Sequence, residues 1–199
     1  VRPEDMVWYH GGEEEEGREE KLELDLPPEV ELYEIPPDRT LAGMLETGDL
    51  DALVTARAPS SFWDGPVERL FPDFRQVERD YYRETGIHPI MHTVVIRQDV
   101  YDEMPWIAPN LVEAFEEAKQ NCLQRISKMN ELQVALPWLH AELEETRDLM
   151  GWDYWPYGVE ANRHVLETMT QYSHEQGLTK EKRDVDELFA PNTYGVLEG

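Results

Sequence analysis

Two β-prone runs flank a short amphipathic helix pattern, and that succession constrains the fold more than any other feature of the chain. Residues 30–35 (VELYEI) alternate in the manner of a strand, and Pro36-Pro37-Asp38 break the run. Residues 39–47 then place Leu41, Met44 and Leu45 on one helical face, with Gly48 as the cap. Residues 50–55 (LDALVT) form a short apolar run that suits a buried strand. Strand, helix and strand with short links predict a βαβ unit, and therefore a parallel pair crossed by the helix. The expected fold class is α/β.

The rest of the chain adds helices. Residues 6–9 (MVWY) read as a short strand, followed by His10-Gly11-Gly12 and the acidic run 13–20, a flexible and solvated loop. Residues 58–65 have loop chemistry, and 73–85 read as a helix ended by Gly86. Residues 90–96 (IMHTVVI) are the best strand pattern in the sequence and the expected hinge between a β-rich first half and a helix-rich second half. Residues 105–128 predict a long helix split at Pro109, with Leu111, Val112, Phe115, Ala118, Cys122 and Ile126 at helical spacing. Helices are also predicted over 139–150 and over 159–176, the latter stopped by Gly177, with a short turn at 185–189. There is no internal repeat.

At 199 residues, 40% of them hydrophobic, the chain is long enough to bury a core in one or two small domains. No apolar run approaches the ~20 residues that span a bilayer, so membrane insertion is not expected. The single cysteine, Cys122, has no internal disulfide partner and is expected as a buried thiol, in keeping with a reducing compartment. The sequence opens Val1-Arg2-Pro3, with neither an initiator Met nor a signal-peptide pattern. A net charge of −25 argues against nucleic acid and anionic membrane surfaces, both of which it would repel. Lysine occurs only at 21, 119, 128, 180 and 182. Such a surface fits adaptation to high salt, or simply solvated Glu-rich helix faces. Either way, it raises the value of each Arg inside a site.

Chemistry concentrates in three places. Residues 151–163 (GWDYWPYGVEANR) load Trp152, Tyr154, Trp155 and Tyr157 beside Asp153, Asn162 and Arg163. Flat rings with polar tips suit a wall that grips a small planar ligand, or equally a staple between two helices. The exit of the βαβ unit, residues 55–61, offers Arg57 as a bidentate carboxylate clamp with Ser60 and Ser61 as hydroxyl donors, or else a surface Arg beside a Ser-rich turn. His88 and His92 bracket the start of the 90–96 run. Four extended residues span about 13 Å, too far for one metal ion, so one His is a candidate acid or base and the other packs. No HExxH, CxxC, GxSxG or phosphate-cradling glycine loop is present, and no metal or cofactor is expected.

The segments LETGDLDALVTARAPSSF, IHPIMHTVVIR with DVYDEMPWIAPNLVEAFEEA, and GWDYWPYGVEANRHVLETMTQYSHEQGL with DELFAP resemble the 4,5-dihydroxyphthalate decarboxylase family. The resemblance runs from Arg2 to Pro191. The WPYG-ExNR block is its most specific part, whereas the GDLDAL and 90–119 patterns are shared with solute-binding relatives. It implies a type II periplasmic-binding-protein-like fold, with parts of two α/β lobes around a ligand cleft. Residues 1–86 would belong to the second lobe and 87–199 to a mainly helical return into the first. Members of the family are larger, and this chain corresponds to their C-terminal three-fifths.

The implied reaction is non-oxidative loss of carbon dioxide from a dihydroxylated aromatic dicarboxylate. The ring carbon bearing the carboxylate must gain a proton, while a para hydroxyl gives one up to push electron density onto it. The site would then use Arg57, Ser60 and Ser61 for the retained carboxylate, and His88 or His92 as the base. Asp153 or the other His would be the acid, with Trp155, Tyr157, Asn162 and Arg163 around the substrate. The expected partner is a small aromatic carboxylate, the expected location the cytoplasm, and a homo-oligomer is left open. The alternative is a solute-binding protein of the same fold that holds a small anionic or aromatic ligand without chemistry. A tuned His separates the two, as would an export signal upstream of Val1.

Overall fold

The computed structural model describes residues 2–18, 25–131 and 133–197. Among them the β-prone runs at the start pair directly. Strand β1 (Val7–His10) lies parallel to β2 (Glu31–Glu34), with Trp8 opposite Leu32 and Tyr9 opposite Tyr33. Alternation sets the faces: Trp8 and His10 are half-buried on one side, while the Tyr9 and Tyr33 rings meet 5.9 Å apart on the other. Helix α1 (Leu41–Thr47) follows. The Thr40 hydroxyl accepts from the Gly43 amide at 3.1 Å, and Gly48 ends the helix at φ 78°, a conformation glycine adopts without strain. The Leu41 and Ala42 amides donate to the Gly12 and Glu13 carbonyls, docking the helix start on the loop after β1. Ile35, Ala42 and Met44 are buried here.

The parallel pair is therefore real, but its members differ from those expected. Residues 50–55 form no strand: only Leu50 and Leu53 are half-buried, and Val54 is 88% exposed. An extended run needs a ladder for its backbone groups, and no described segment supplies one. The Thr55 hydroxyl instead donates to Glu13 at 2.6 Å. Residues 58–65 were expected as a loop and contain the short helix α2 (Ser60–Asp64). Its first amide and the Ser60 hydroxyl donate to the Glu14 carboxylate at 2.7 and 3.1 Å, so this stretch of the acidic run caps a helix. Residues 19 and 20, the end of that run, lie outside the described residues.

The chain divides into two compact units, one of Val1–Phe74 with Ser173–Glu181 and one of Arg75–Tyr172 with Lys182–Gly199. The second unit is helical. It holds α3 (Phe74–Thr85) from Arg75 onward, α4 (Gln98–Glu103), α5 (Ile107–Ile126), α6 (Leu139–Met150) and α7 (Val159–Glu175) as far as Tyr172, with 3-10 turns at Val185–Glu187 and Pro191–Thr193. Ion pairs from Arg75 to Glu142 and from Arg79 to Glu145 tie α3 to α6. Val159 and Leu166 of α7 bury against Val185, with Ile90, Phe189 and Tyr194 packed around them.

Three expectations fail in this unit. The 90–96 run forms no strand: Met91, Val94 and Val95 are exposed, Val95 at 86%, for want of a described ladder partner. Pro109 does not split the long helix, because it falls in the first turn of α5, where a missing amide leaves no bond unmade. Cys122 is exposed rather than buried, since the buried stripe of α5 runs through Ala108, Lys119 and Leu123 and passes one position beside it. Among the described residues, no helix is long and apolar enough to cross a membrane.

Candidate functional site

Two glycines frame the aromatic loop. Gly151 ends α6 and Gly158 precedes α7, both with positive φ (88° and 91°), so a side chain at either would be strained. The Asn162 amide, on the first turn of α7, donates to the Pro156 and Gly158 carbonyls at 2.9 and 2.8 Å. The loop is thereby held from both ends. Its aromatics are pinned one by one. The Arg147 guanidinium lies 3.8 Å from the centre of the Trp152 ring. Trp155 meets His88 edge-on at 5.4 Å, and Tyr157 lies under the Lys119 ammonium at 4.9 Å.

Lys119 is the residue on which this arrangement turns. It sits on the buried stripe of α5, and its side chain is 5% exposed. The ammonium donates to both Asp153 oxygens at 3.1 Å and lies 2.9 Å from a Glu116 carboxylate oxygen. Beside it opens a cavity of about 240 Å³ lined by Glu116, Asp153, Tyr157, Glu160, Tyr194 and Leu197, among others. A cavity of about 150 Å³ is enough to admit a benzene ring, so this one has room for a single aromatic ring. Burying an ammonium is costly unless it is paired, and two carboxylates and a ring face pair this one.

A second cluster adjoins the cavity through Glu160 and Tyr194. Arg163 of α7 donates to Glu160 at 2.5 Å and to Asp186 at 2.9 Å, and the Tyr194 hydroxyl donates to Asp186 at 2.9 Å. The Arg163 hydrogen bonds hold both the Glu160 and the Asp186 carboxyls below their ordinary range, with Tyr194 adding to the effect on Asp186. Burial first, and then Asp186, raises the Tyr194 phenol. The Tyr154 phenol is raised too, chiefly by burial.

The residues singled out from sequence fall into groups. Asp153 and Tyr157 line the cavity, Asn162 fixes the loop, and Arg163 joins α7 to the C-terminal segment. His88 and His92 are both exposed; the His88 ring touches Trp155, and His92 lies on the unpaired run. Arg57, Ser60 and Ser61 belong to the other unit. There, Arg57 is exposed, Ser60 binds Glu14, and the Ser61 hydroxyl is buried with no hydrogen-bond partner among the described residues. Sequence reasoning missed Lys119, Glu116 and Tyr194. Lys119 had a readable signal: it is a charge four residues from Phe115 and from Leu123, on an apolar helical face.

Fold and site together define an α/β protein with a small cavity walled by aromatic rings and fixed carboxylates. No protein-family model matches the chain. It is 36% identical over 193 residues, 96% of its length, to a 4,5-dihydroxyphthalate decarboxylase of Comamonas testosteroni, and 42% identical over 85 residues to one of Pseudomonas putida. The chain is a sequence homologue of the 4,5-dihydroxyphthalate decarboxylase family, as its motifs indicated. It spans 58% of the length of the first relative and 33% of the second.

Proposed function

We propose that this chain is the larger part of a non-oxidative decarboxylase acting on a dihydroxylated aromatic dicarboxylate such as 4,5-dihydroxyphthalate, with two lobes of the periplasmic-binding-protein type. The observation that carries the reading is the 36% identity across 96% of the chain to a protein of that name. Division into two compact units is in keeping with two lobes; residues 1–86 and 87–199 are proposed as the lobe segments, although the compact units divide the chain at Phe74 and return Ser173–Glu181 to the first. The reaction is balanced without an oxidant. A base takes the proton of the hydroxyl para to the departing carboxylate, and the ring carbon gains a proton. The carbon–carbon bond then breaks to release carbon dioxide, and its electrons restore the aromatic ring as the hydroxyl is reprotonated.

Tyr157, which lines the cavity, and Trp155 of the same loop are proposed as apolar walls that favour loss of a charged carboxylate as a neutral gas. Asp153, His88 and His92 are the groups proposed to move protons, while Arg57, with Ser60 and Ser61, is proposed to hold the retained carboxylate. The test is incubation of the full-length protein with 4,5-dihydroxyphthalate. Release of one carbon dioxide per 3,4-dihydroxybenzoate formed supports the reading. Tight binding without turnover assigns the protein instead as a receptor for such ligands.

A further inference from the structure

The cavity beside α5 is rich in charge, yet among the described residues it has no free cation to offer. Lys119 is taken up by Asp153 and Glu116, and Arg163 by Glu160 and Asp186. A substrate carboxylate placed here would meet carboxylates. What the lining does present is acceptor oxygens on Asp153 and Glu160 beside the Tyr157 ring, in a space the size of one aromatic ring. Acceptors next to a ring face select a ring that carries O–H donors. Asp153 lies on a loop, and its side chain is 44% exposed, so an unheld carboxylate there would sample many directions. It is held: both of its oxygens contact the Lys119 ammonium, which is itself immobilised by burial and by Glu116.

We propose that Lys119 is a positioning residue. It fixes the Asp153 carboxylate as the acceptor for a ring hydroxyl, and the Tyr157 ring as the wall beside it, so that this cavity reads the hydroxylated end of the substrate. The inference rests on the proposed decarboxylase reading but concerns recognition, which is measurable without turnover. An Asp153 held in this way acts toward the ring as proton acceptor, leaving proton delivery to the ring carbon to another group.

The test compares binding of 4,5-dihydroxyphthalate and of phthalate, which lacks both hydroxyls, to the full-length protein by calorimetry. The wild-type protein should prefer the hydroxylated ligand. Lys119→Met, which keeps the apolar stem, should lower that preference roughly tenfold, the value of one hydrogen bond to a charged acceptor, with phthalate affinity unchanged. Asp153→Asn should do the same, and the double variant should lose no more than either single variant. Lys119→Arg keeps the charge and should keep most of the preference. An unchanged preference in Lys119→Met, or losses that simply multiply in the double variant, overturns the proposal. If Lys119→Met does not fold, an unchanged preference in Asp153→Asn overturns it equally. Failure of the decarboxylase reading is a separate result, the absence of carbon dioxide release by the wild-type protein.

Discussion

The Arg163 guanidinium on α7 lies 2.9 Å from the Asp186 carboxylate of the C-terminal segment, and the segment that this contact anchors supplies Tyr194 and Leu197 to the cavity wall. Exposed ion pairs contribute little to global stability, so the consequence is local order of residues 184–197 rather than a large change in folding free energy. Both acid partners of Arg163 have folded-state pKa values below their unfolded ones. Their contribution is therefore complete above the ordinary carboxylate range and is lost as pH falls through the depressed folded values. Hydrogen exchange of peptides covering 184–197, corrected for intrinsic rates, should quicken in wild type as pH falls below the ordinary carboxylate range. Arg163→Met should show the quickened exchange already at pH 7. Equal protection in both proteins at pH 7 would show that Arg163 does not hold the segment.

Core substitutions should separate packed residues from residues that only look apolar. Leu166, 3% exposed between Val159 and Val185, should cost about 2–5 kcal/mol when cut to Ala in urea unfolding. Val95, 86% exposed, should change stability by less than about 0.5 kcal/mol when replaced by Ser. A large loss at Val95 would mean that the 90–96 run is packed after all.

That contrast marks where the sequence was legible. Helices carry their own hydrogen bonds, so period and caps locate them. The start and end of α6 fall where the pattern put them, and Gly48, Gly86 and Gly177 stop helices as read. Strands need partners that local pattern does not reveal, which is why LDALVT and IMHTVVI were misread while VWYH and ELYE pair with each other. In the site, the aromatic loop with Asp153 was visible as a dense cluster. Helical spacing marks Lys119 as a charge on an apolar face, but its pairing with Asp153, 34 residues away, is not legible from local pattern.

Arg57 is exposed, and among the described residues its guanidinium has no ion pair. If it clamps the retained carboxylate, Arg57→Lys keeps the charge but loses the two-pronged geometry. Calorimetry with phthalate should then show an affinity loss of about 1–3 kcal/mol. Unchanged affinity removes Arg57 from the site.

The two histidines should behave differently. Both are exposed, but His88 lies against Trp155, a residue of the loop that carries Asp153, whereas His92 lies on a run with no ladder among the described residues. A proton carrier must reach the substrate, and among the described contacts it is His88 that meets the aromatic loop. His88→Asn should therefore lower carbon dioxide release from 4,5-dihydroxyphthalate by about 10²-fold or more while leaving binding within a few-fold. His92→Asn should stay near wild type in both. Because His88 also packs on Trp155, melting temperatures of His88→Asn and Trp155→Phe serve as the control for a purely structural effect. A loss of turnover in His88→Asn that merely tracks a loss of fold, or wild-type turnover in both histidine variants, would leave the proton transfer to other groups.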